Sequence, residues 1–410
     1  MSDSSIIWRD LLTKKMLICV FTGFTSGLPL FIIVSLLPAW LMDSGLELKA
    51  IALFSFIQLP YVLKFLWAPL FDGFSFSMGR RKGWLIIFQV LLLASISITG
   101  LLDPKSQIMT VAIISTAIAF FSASQDAVID AYRRELLLDN ELGLGTAIHV
   151  NGYRIAGLIP GSLALILADI FAWELVFFIT SLFMIPGIIL TILIKEPLLQ
   201  VIPPKTIKEA VIEPFVEFIN RKGIKEAILV LLFIFLYKIG DSMATALATP
   251  FFMDLGFSMT EIGVIAKTVG LWASIVGGIV GGILMIKIGI NRALWIFGFM
   301  QMFATLSFAW LAISGYSPLI LGITVGLEFF AAGLGTTAFL AYIAKTTNPK
   351  FTATQFALFT GLSAVPRTIT NASTGYLVEF FGWYNFFIFC SFIAVPGMIL
   401  LIKIAPWNKP

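Results

Sequence analysis

The stretch from Ser122 to Glu135, SASQDAVIDAYRRE, follows the apolar run from Thr110 to Phe121 without a break. It sets two carboxylates, Asp126 and Asp130, four residues apart, so on a helix they share one face. A charge in hydrocarbon costs roughly 2.5–3.5 kcal/mol on insertion scales, which marks such a residue as functional by default. Two ionised carboxylates on one face repel each other. The pair therefore suits a proton carrier, a carboxyl that takes and releases a proton and whose charge is felt by a nearby cation. Asp130 precedes Arg133 and Arg134 by three and four residues, an arrangement that holds it ionised near the interface and leaves Asp126 as the expected protonation site. Gln125 beside it offers both a donor and an acceptor, suited to amide and hydroxyl groups.

Other charges interrupt apolar runs. Lys64 and Arg154 fall at a depth similar to Asp126, counted at about 1.5 Å per helical residue. Either the three form one charge cluster, or they snorkel and pair to hold helices together. Later in the chain, Lys238, Glu328 and Arg367 fall near the middle of their runs, with Asp241 close to Lys238. Cations at this depth suit an anionic cargo, and Arg367 suits a bidentate carboxylate contact. A closed Glu328–Arg367 ion pair without a ligand role is the alternative.

The elements that carry these residues follow from composition. The chain has 410 residues, 59% hydrophobic and 12% charged, with 39 Phe and a mean hydropathy of +0.98. That balance excludes a soluble domain. Apolar runs of about 20 residues recur throughout, each long enough to cross a bilayer core of roughly 30 Å. The expected spans lie near 16–41, 48–72, 84–102, 107–131, 146–170, 173–195, 225–252, 261–286, 292–314, 317–343, 354–380 and 383–404. The first is too long for a signal-peptide core and is read as retained. With both termini cytoplasmic, 20 of the 27 basic residues fall on the cytoplasmic side, Lys49 and Lys105 fall outside, and five lie within spans. This asymmetry obeys the positive-inside rule and requires an even number of spans.

Residues 196–224 form the one long connection. They separate an N-terminal six-helix bundle, 1–195, from a C-terminal one, 225–410. Within the connection, Ile207, Val211, Phe215 and Phe218 share a helical face, the pattern of an amphipathic helix on a membrane surface, with a solvated linker as the alternative. In span one, Gly23, Gly27 and Pro29 mark either backbone that lines a cavity or close packing of helices. Cys19 and Cys390 both sit in apolar runs and imply no disulfide or metal. His149 is read as a surface or interfacial residue at the start of span five. No enzyme signature, metal site or cofactor motif is expected, and no basic domain stands outside the spans to bind nucleic acid.

The two halves echo each other. Met42, Asp43 and Gly45 are answered by Met253, Asp254 and Gly256, and Arg81 and Trp84 by Arg292 and Trp295, each 211 positions later. Ala131, Tyr132, Asp169 and Trp173 are answered by Ala341, Tyr342, Glu379 and Trp383, each 210 later. Two six-helix bundles in one orientation with a binding site between them is the repeat logic of the major facilitator architecture. The stretch from Asp72 to Lys82, with Arg80 and Arg81, resembles that family's cytoplasmic latch, in which an acidic helix end and a basic turn fasten neighbouring helices. The second half keeps Arg292 but has Ile283 where the first has Asp72.

Six stretches together resemble the AmpG-type muropeptide permeases of this superfamily: GFTSGLPL at 23–30, PYVLKFLWAPLFD at 60–72, GRRKGW at 79–84, SQDAVIDAYRRE at 124–135, GYRIAG at 152–157 and FTATQFALFTGLSAVPR at 351–367. The resemblance implies a multi-pass symporter of the bacterial inner membrane. It would import anhydro-muropeptides with protons for peptidoglycan recycling, as a monomer among membrane lipids. Another anionic solute, such as acetyl-CoA, a nucleotide-sugar or a peptide, is the alternative cargo. A membrane sensor or scaffold is the alternative of a different class, and it would need no buried charges in both halves.

Overall fold

The structure is a computed structural model and describes residues 13–46, 54–197, 207–257 and 261–408, without the side chains of 55, 207–211, 222, 249, 263, 267 and 365–373. Lys49 and the side chains of Ile207, Val211 and Arg367 therefore lie outside the described residues. Among the described residues the chain is helical, with one isolated bridge between Phe76 and Gly79. Among the described residues, nine helices are long and apolar enough to cross a membrane, and Phe56–Leu66 is a shorter apolar helix. A helix pairs its backbone groups internally and turns apolar side chains outward, as a bilayer demands.

In chain order the helices are α1 (Lys14–Asp43), α2 (54–73), α3 (Lys82–Thr99), α4 (Ile108–Leu136), α5 (Leu142–Ala168), α6 (Trp173–Leu193), α7 (Ile207–Lys222) and α8 (Ile224–Asp254). The helical run Thr268–Ser314 would measure about 70 Å if straight, more than twice a hydrocarbon core. It breaks at Gly289, whose φ of 76° is a left-handed conformation natural to glycine. The parts are α9 (262–288) and α10 (290–314). After α11 (Pro318–Thr346), the run from Thr352 breaks in the same way at Gly382, with φ 71°, into α12 (352–381) and α13 (383–404).

The described residues fall into two compact units. One lies within Met1–Leu138, Ile148–Phe215 and Thr347–Gly361, and the other within Asp139–Ala147, Val216–Thr346 and Leu362–Pro410. The first is built on a core that includes Leu28, Leu36, Trp40, Leu92, Ile96 and Phe177. The second centres on an aromatic cluster in which Phe387 packs against Phe251 at 4.7 Å and Phe308 at 4.9 Å.

The sequence echo becomes a repeated contact. In the first unit the Trp173 indole donates to Asp43 at 2.7 Å, and in the second Trp383 donates to Asp254 at 2.6 Å. Residues 210 and 211 positions apart thus close the same bond between the end of one helix and the start of another.

Helix packing in the first unit depends on small residues. A Cβ on Gly23 would lie 2.0 Å from the His149 carbonyl oxygen, one on Gly27 2.4 Å from that of Tyr153, and one on Gly152 2.4 Å from that of Val20. The open question about Gly23 and Gly27 is settled as close packing of α1 on α5. His149 is a correction, because it is buried and its Nδ1 lies 3.5 Å from the Thr22 hydroxyl. The glycine approach of α1 draws the imidazole inside. In the second unit Gly277 and Gly333 serve in the same way, with carbonyls of Phe330 and Ser274 at 2.2 and 2.4 Å from the would-be Cβ.

Gly23→Ala and Gly152→Ala are therefore expected to lower stability by about 1–3 kcal/mol, the cost of overpacking where backbone must move. Gly326→Ala, whose added Cβ would lie an ordinary 3.5 Å from the Val269 side chain, is expected to match the unaltered protein. Fluorescence-monitored thermal unfolding of the purified proteins checks the difference.

Candidate functional site

Three helices of the first unit meet at Asp126. On α2, Pro60 and Pro69 interrupt regular hydrogen bonding, and the segment Lys64–Leu66 winds as a tighter 3-10 turn. That turn buries Lys64, whose Nζ lies 3.9 Å from Asp126 Oδ2, the two side chains being 8% and 16% exposed. From α1 the Ser26 hydroxyl donates to Asp126 Oδ1 in a short hydrogen bond. Asp126 thus faces the Lys64 ammonium and the Ser26 hydroxyl, with Asp130 and Arg133 in electrostatic reach, in an apolar bundle where a charge is felt strongly. Four residues on, Asp130 accepts from Arg133 Nη2 at 2.8 Å, the pairing expected from their spacing. Arg133 is itself buried and lies over the Phe356 ring.

The neighbours of Asp126 on α4 are used to hold helices. Gln125 is buried, and its Nε2 donates to the Thr25 carbonyl of α1 at 2.7 Å, while its Oε1 has no partner among the described residues. One half of the amide therefore positions α1 and the other half is left to accept. Ser124 accepts from the Trp67 indole at 2.9 Å. Arg154 is half-buried on α5 and has contacts of its own.

A second group lies in the other unit. Lys238 Nζ is 2.6 Å from Asp241 Oδ2 on α8. Glu328 of α11 is 1% exposed, and both its oxygens are 3.3 Å from the Thr305 hydroxyl of α10. It also lies in hydrogen-bonding reach of Asp241 and in electrostatic reach of Lys238. Lys238, Asp241, Ser242, Thr245, Thr336 and Ser363 are among the residues that line a cavity of about 330 Å³. Lys238 and Asp241 thus face the cavity, and Glu328 stands within reach of both without lining it.

The stretch from Asp72 to Lys82 forms a network of ion pairs and hydrogen bonds in the first unit. Asp72 accepts from Arg80 at 3.0 Å, Arg81 at 2.8 Å, and the backbone N–H and hydroxyl of Thr354 at 2.8 and 2.7 Å. A carboxylate that takes amide protons of the first turn also meets the positive end of the α12 helix dipole. Arg81 is fully buried and spends its guanidinium on Asp72, Glu135 and the Phe71 carbonyl. Burial opposes its charge, but Glu135 and Asp72 outweigh burial and hold the guanidinium above its ordinary value. Glu196 closes the turn from the other side by accepting from the Arg81 and Lys82 backbone at 2.6 and 3.2 Å.

Sequence reasoning did not assign roles to Ser26, Glu135, Glu196 or Thr354. Ser26, Glu135 and Thr354 stand in quoted polar stretches, so the signal was present in the residue types. Their partners are 54 to 282 positions away, and no local pattern reports such pairings.

The model of the Major Facilitator Superfamily matches residues 19–370. The chain is 49% identical to an uncharacterized protein of Haemophilus influenzae, over 99% of this chain and 98% of that one. It is 42% identical to the anhydromuropeptide permease of Escherichia coli, over 94% of this chain and 78% of that protein. Among solved structures, the human organic anion transporter MFSD10 shares the fold with a TM-score of 0.74 at 16% identity, covering 95% of this chain and all of that one. The transporter FucP, in an outward conformation, does so with a TM-score of 0.73 at 12% identity, covering 98% of this chain and all of that one.

Because Arg81 is fully buried and pairs with two buried carboxylates at once, Arg81→Ala is expected to cost about 3–5 kcal/mol, the penalty for breaking a buried pair. Arg81→Lys keeps the charge but not the fork that reaches three acceptors, and is expected to fall between. Thermal unfolding in detergent orders the three proteins.

Proposed function

We propose that this chain, which belongs to the Major Facilitator Superfamily and within it to the AmpG-type permeases, imports anhydro-muropeptides into the cytoplasm together with protons. It is a multi-pass membrane transporter of small molecules. In the proposed arrangement it crosses the bacterial inner membrane twelve times, with both termini cytoplasmic. Two six-helix bundles, 1–195 and 225–410, are joined by 196–224, and the protein works as a monomer.

The observation that carries the coupling is the placement of Asp126 against Lys64 and Ser26. A carboxyl set 3.9 Å from an ammonium changes the local field when it gains or loses a proton, and the change is felt on α1, α2 and α4 together. When protonated, Asp126 releases Lys64 for a carboxylate of the cargo. When ionised, it reclaims the ammonium and favours cargo release. Asp130 is held by Arg133 and serves as the neighbour whose charge biases Asp126. Lys238 and Arg367 are assigned to cargo carboxylates, with Asp241 and Glu328 setting the charge of that side. Gln125, through its free acceptor, and Arg154 complete the polar lining. The Asp72, Arg80 and Arg81 latch fastens the cytoplasmic ends of α2, α4 and α12 in one state of the cycle.

The test uses labelled muropeptide and protein reconstituted in vesicles. Asp126→Asn imitates the protonated form. It is expected to keep cargo exchange in counterflow and to lose accumulation driven by a pH gradient or by the membrane potential, which supplies about 2.3 kcal/mol per charge per 100 mV to a site that changes charge. Asp130→Asn is expected to do less. Normal concentrative uptake by the Asp126→Asn protein assigns the coupling to another acid, and failure of the unaltered protein to carry muropeptide overturns the cargo.

A further inference from the structure

A separate cavity of about 490 Å³ lies in the second unit, where several span ends meet. The N-terminal turns of α8 contribute Glu226, the start of α10 Asn291, the end of α11 Tyr342 and Lys345, the end of α13 Lys403, and the end of α7 Arg221. Its size is that of a small-ligand site. Ends of four spans at one level define a membrane–water boundary. The Trp407 indole beneath Arg292, 6.0 Å from the guanidinium carbon, has the aromatic character of such a boundary.

The chemistry of the walls is cationic. Arg221 is held at the rim by Glu217 at 3.2 Å and by the Thr346 carbonyl at 2.9 Å, with its guanidinium over the Phe218 ring. Lys403 is exposed and has no acidic partner among the described residues. Against these and Lys345 the lining sets one acid, Glu226.

The helix that supplies Arg221 has a second property. Along α7, Ile212, Phe215, Val216 and Ile219 are between 36% and 50% exposed. They follow the three-and-four spacing of a single apolar stripe. The expected apolar face was different in part, because Phe218 turns inward under Arg221 while Phe215 faces out. A helix with an exposed apolar stripe and a cationic end lies in a membrane interface.

We infer that this cavity seats the headgroup of an anionic phospholipid from the leaflet in which α7 lies. The phosphate sits on Arg221, Lys345 and Lys403, and the acyl chains run beside the stripe of α7. Basic pockets between spans on the cytoplasmic side take headgroups in this way. Glu226 selects among anionic lipids, since a carboxylate accepts hydrogen bonds from headgroup hydroxyls, which phosphatidylglycerol has. The inference rests on the cavity alone and stands whatever cargo the permease carries.

The test is thermal unfolding of the full-length detergent-purified protein, titrated with short-chain phosphatidylglycerol. Parallel titrations use phosphatidylcholine and phosphatidylethanolamine of the same chain length, and inorganic phosphate. Phosphatidylglycerol is expected to raise the Tm saturably and the others to do so weakly. Lys403→Gln is expected to raise the half-maximal lipid concentration about fivefold, and Lys403→Gln with Lys345→Gln further, at roughly the worth of one interfacial cation each. Equal shifts with phosphatidylcholine or phosphatidylethanolamine, an equal shift with inorganic phosphate alone, or unchanged titrations in both variants would each overturn the assignment. Should the double variant fail to fold, mass spectrometry of lipids retained by the unaltered protein decides. Phosphatidylglycerol enriched over its share of the membrane supports the site, and no enrichment refutes it.

Discussion

A charge surrounded by hydrocarbon must find an opposite charge or a hydrogen bond, and the polar architecture of this protein is the set of answers to that demand. Asp126 has Lys64 and Ser26. Asp241 has Lys238, and Glu328 has Thr305 and its neighbours. Asp72 and Glu135 have Arg81 between them. Apart from Lys238 and Asp241, which share α8, each answer joins separate segments of the chain, so satisfying the charges also fixes which helices pack together. The groups differ in how completely they are satisfied. Arg81 is enclosed by three acceptors, whereas Lys64 reaches Asp126 only at 3.9 Å. The first arrangement fastens helices, and the second leaves a carboxyl able to change partners.

The internal repeat conserves structure and lets chemistry diverge. The Asp43–Trp173 bond recurs as Asp254–Trp383, at the same helix ends and nearly the same length. The latch does not recur. Arg292, the counterpart of Arg81, donates instead to the Trp407 carbonyl and lies over its ring, since Ile283 stands where an acid would be. One half thus carries a closed ionic turn and the other an open cationic surface. The buried acids diverge as well, a Lys64–Asp126 pair in one unit and two acids beside Lys238 in the other.

Helical class, the positions of most spans and the charged residues inside them were legible in the sequence, because hydropathy and charge are local properties. So was the Asp130–Arg133 pair, which needs only helical spacing. The breaks at Gly289 and Gly382 were foreseen as boundaries between spans, but the turns there are a single glycine rather than a loop. What the sequence could not supply was long-range pairing. Gln125 reads as a free amide until Thr25, 100 positions away, takes its N–H. His149 reads as interfacial until Gly23 lets α1 close over it. On α7 the periodicity was readable, but which face turned outward depended on Phe218 finding Arg221.

The central claim is that Asp126 changes its protonation state when cargo is bound and released. Difference infrared spectroscopy of the reconstituted protein, with and without muropeptide, observes the carboxyl directly through its C=O stretch. The account predicts a cargo-dependent carboxylic acid band that disappears in the Asp126→Asn protein and persists in Asp130→Asn. A band unchanged in Asp126→Asn would contradict it and would move the proton to another acid.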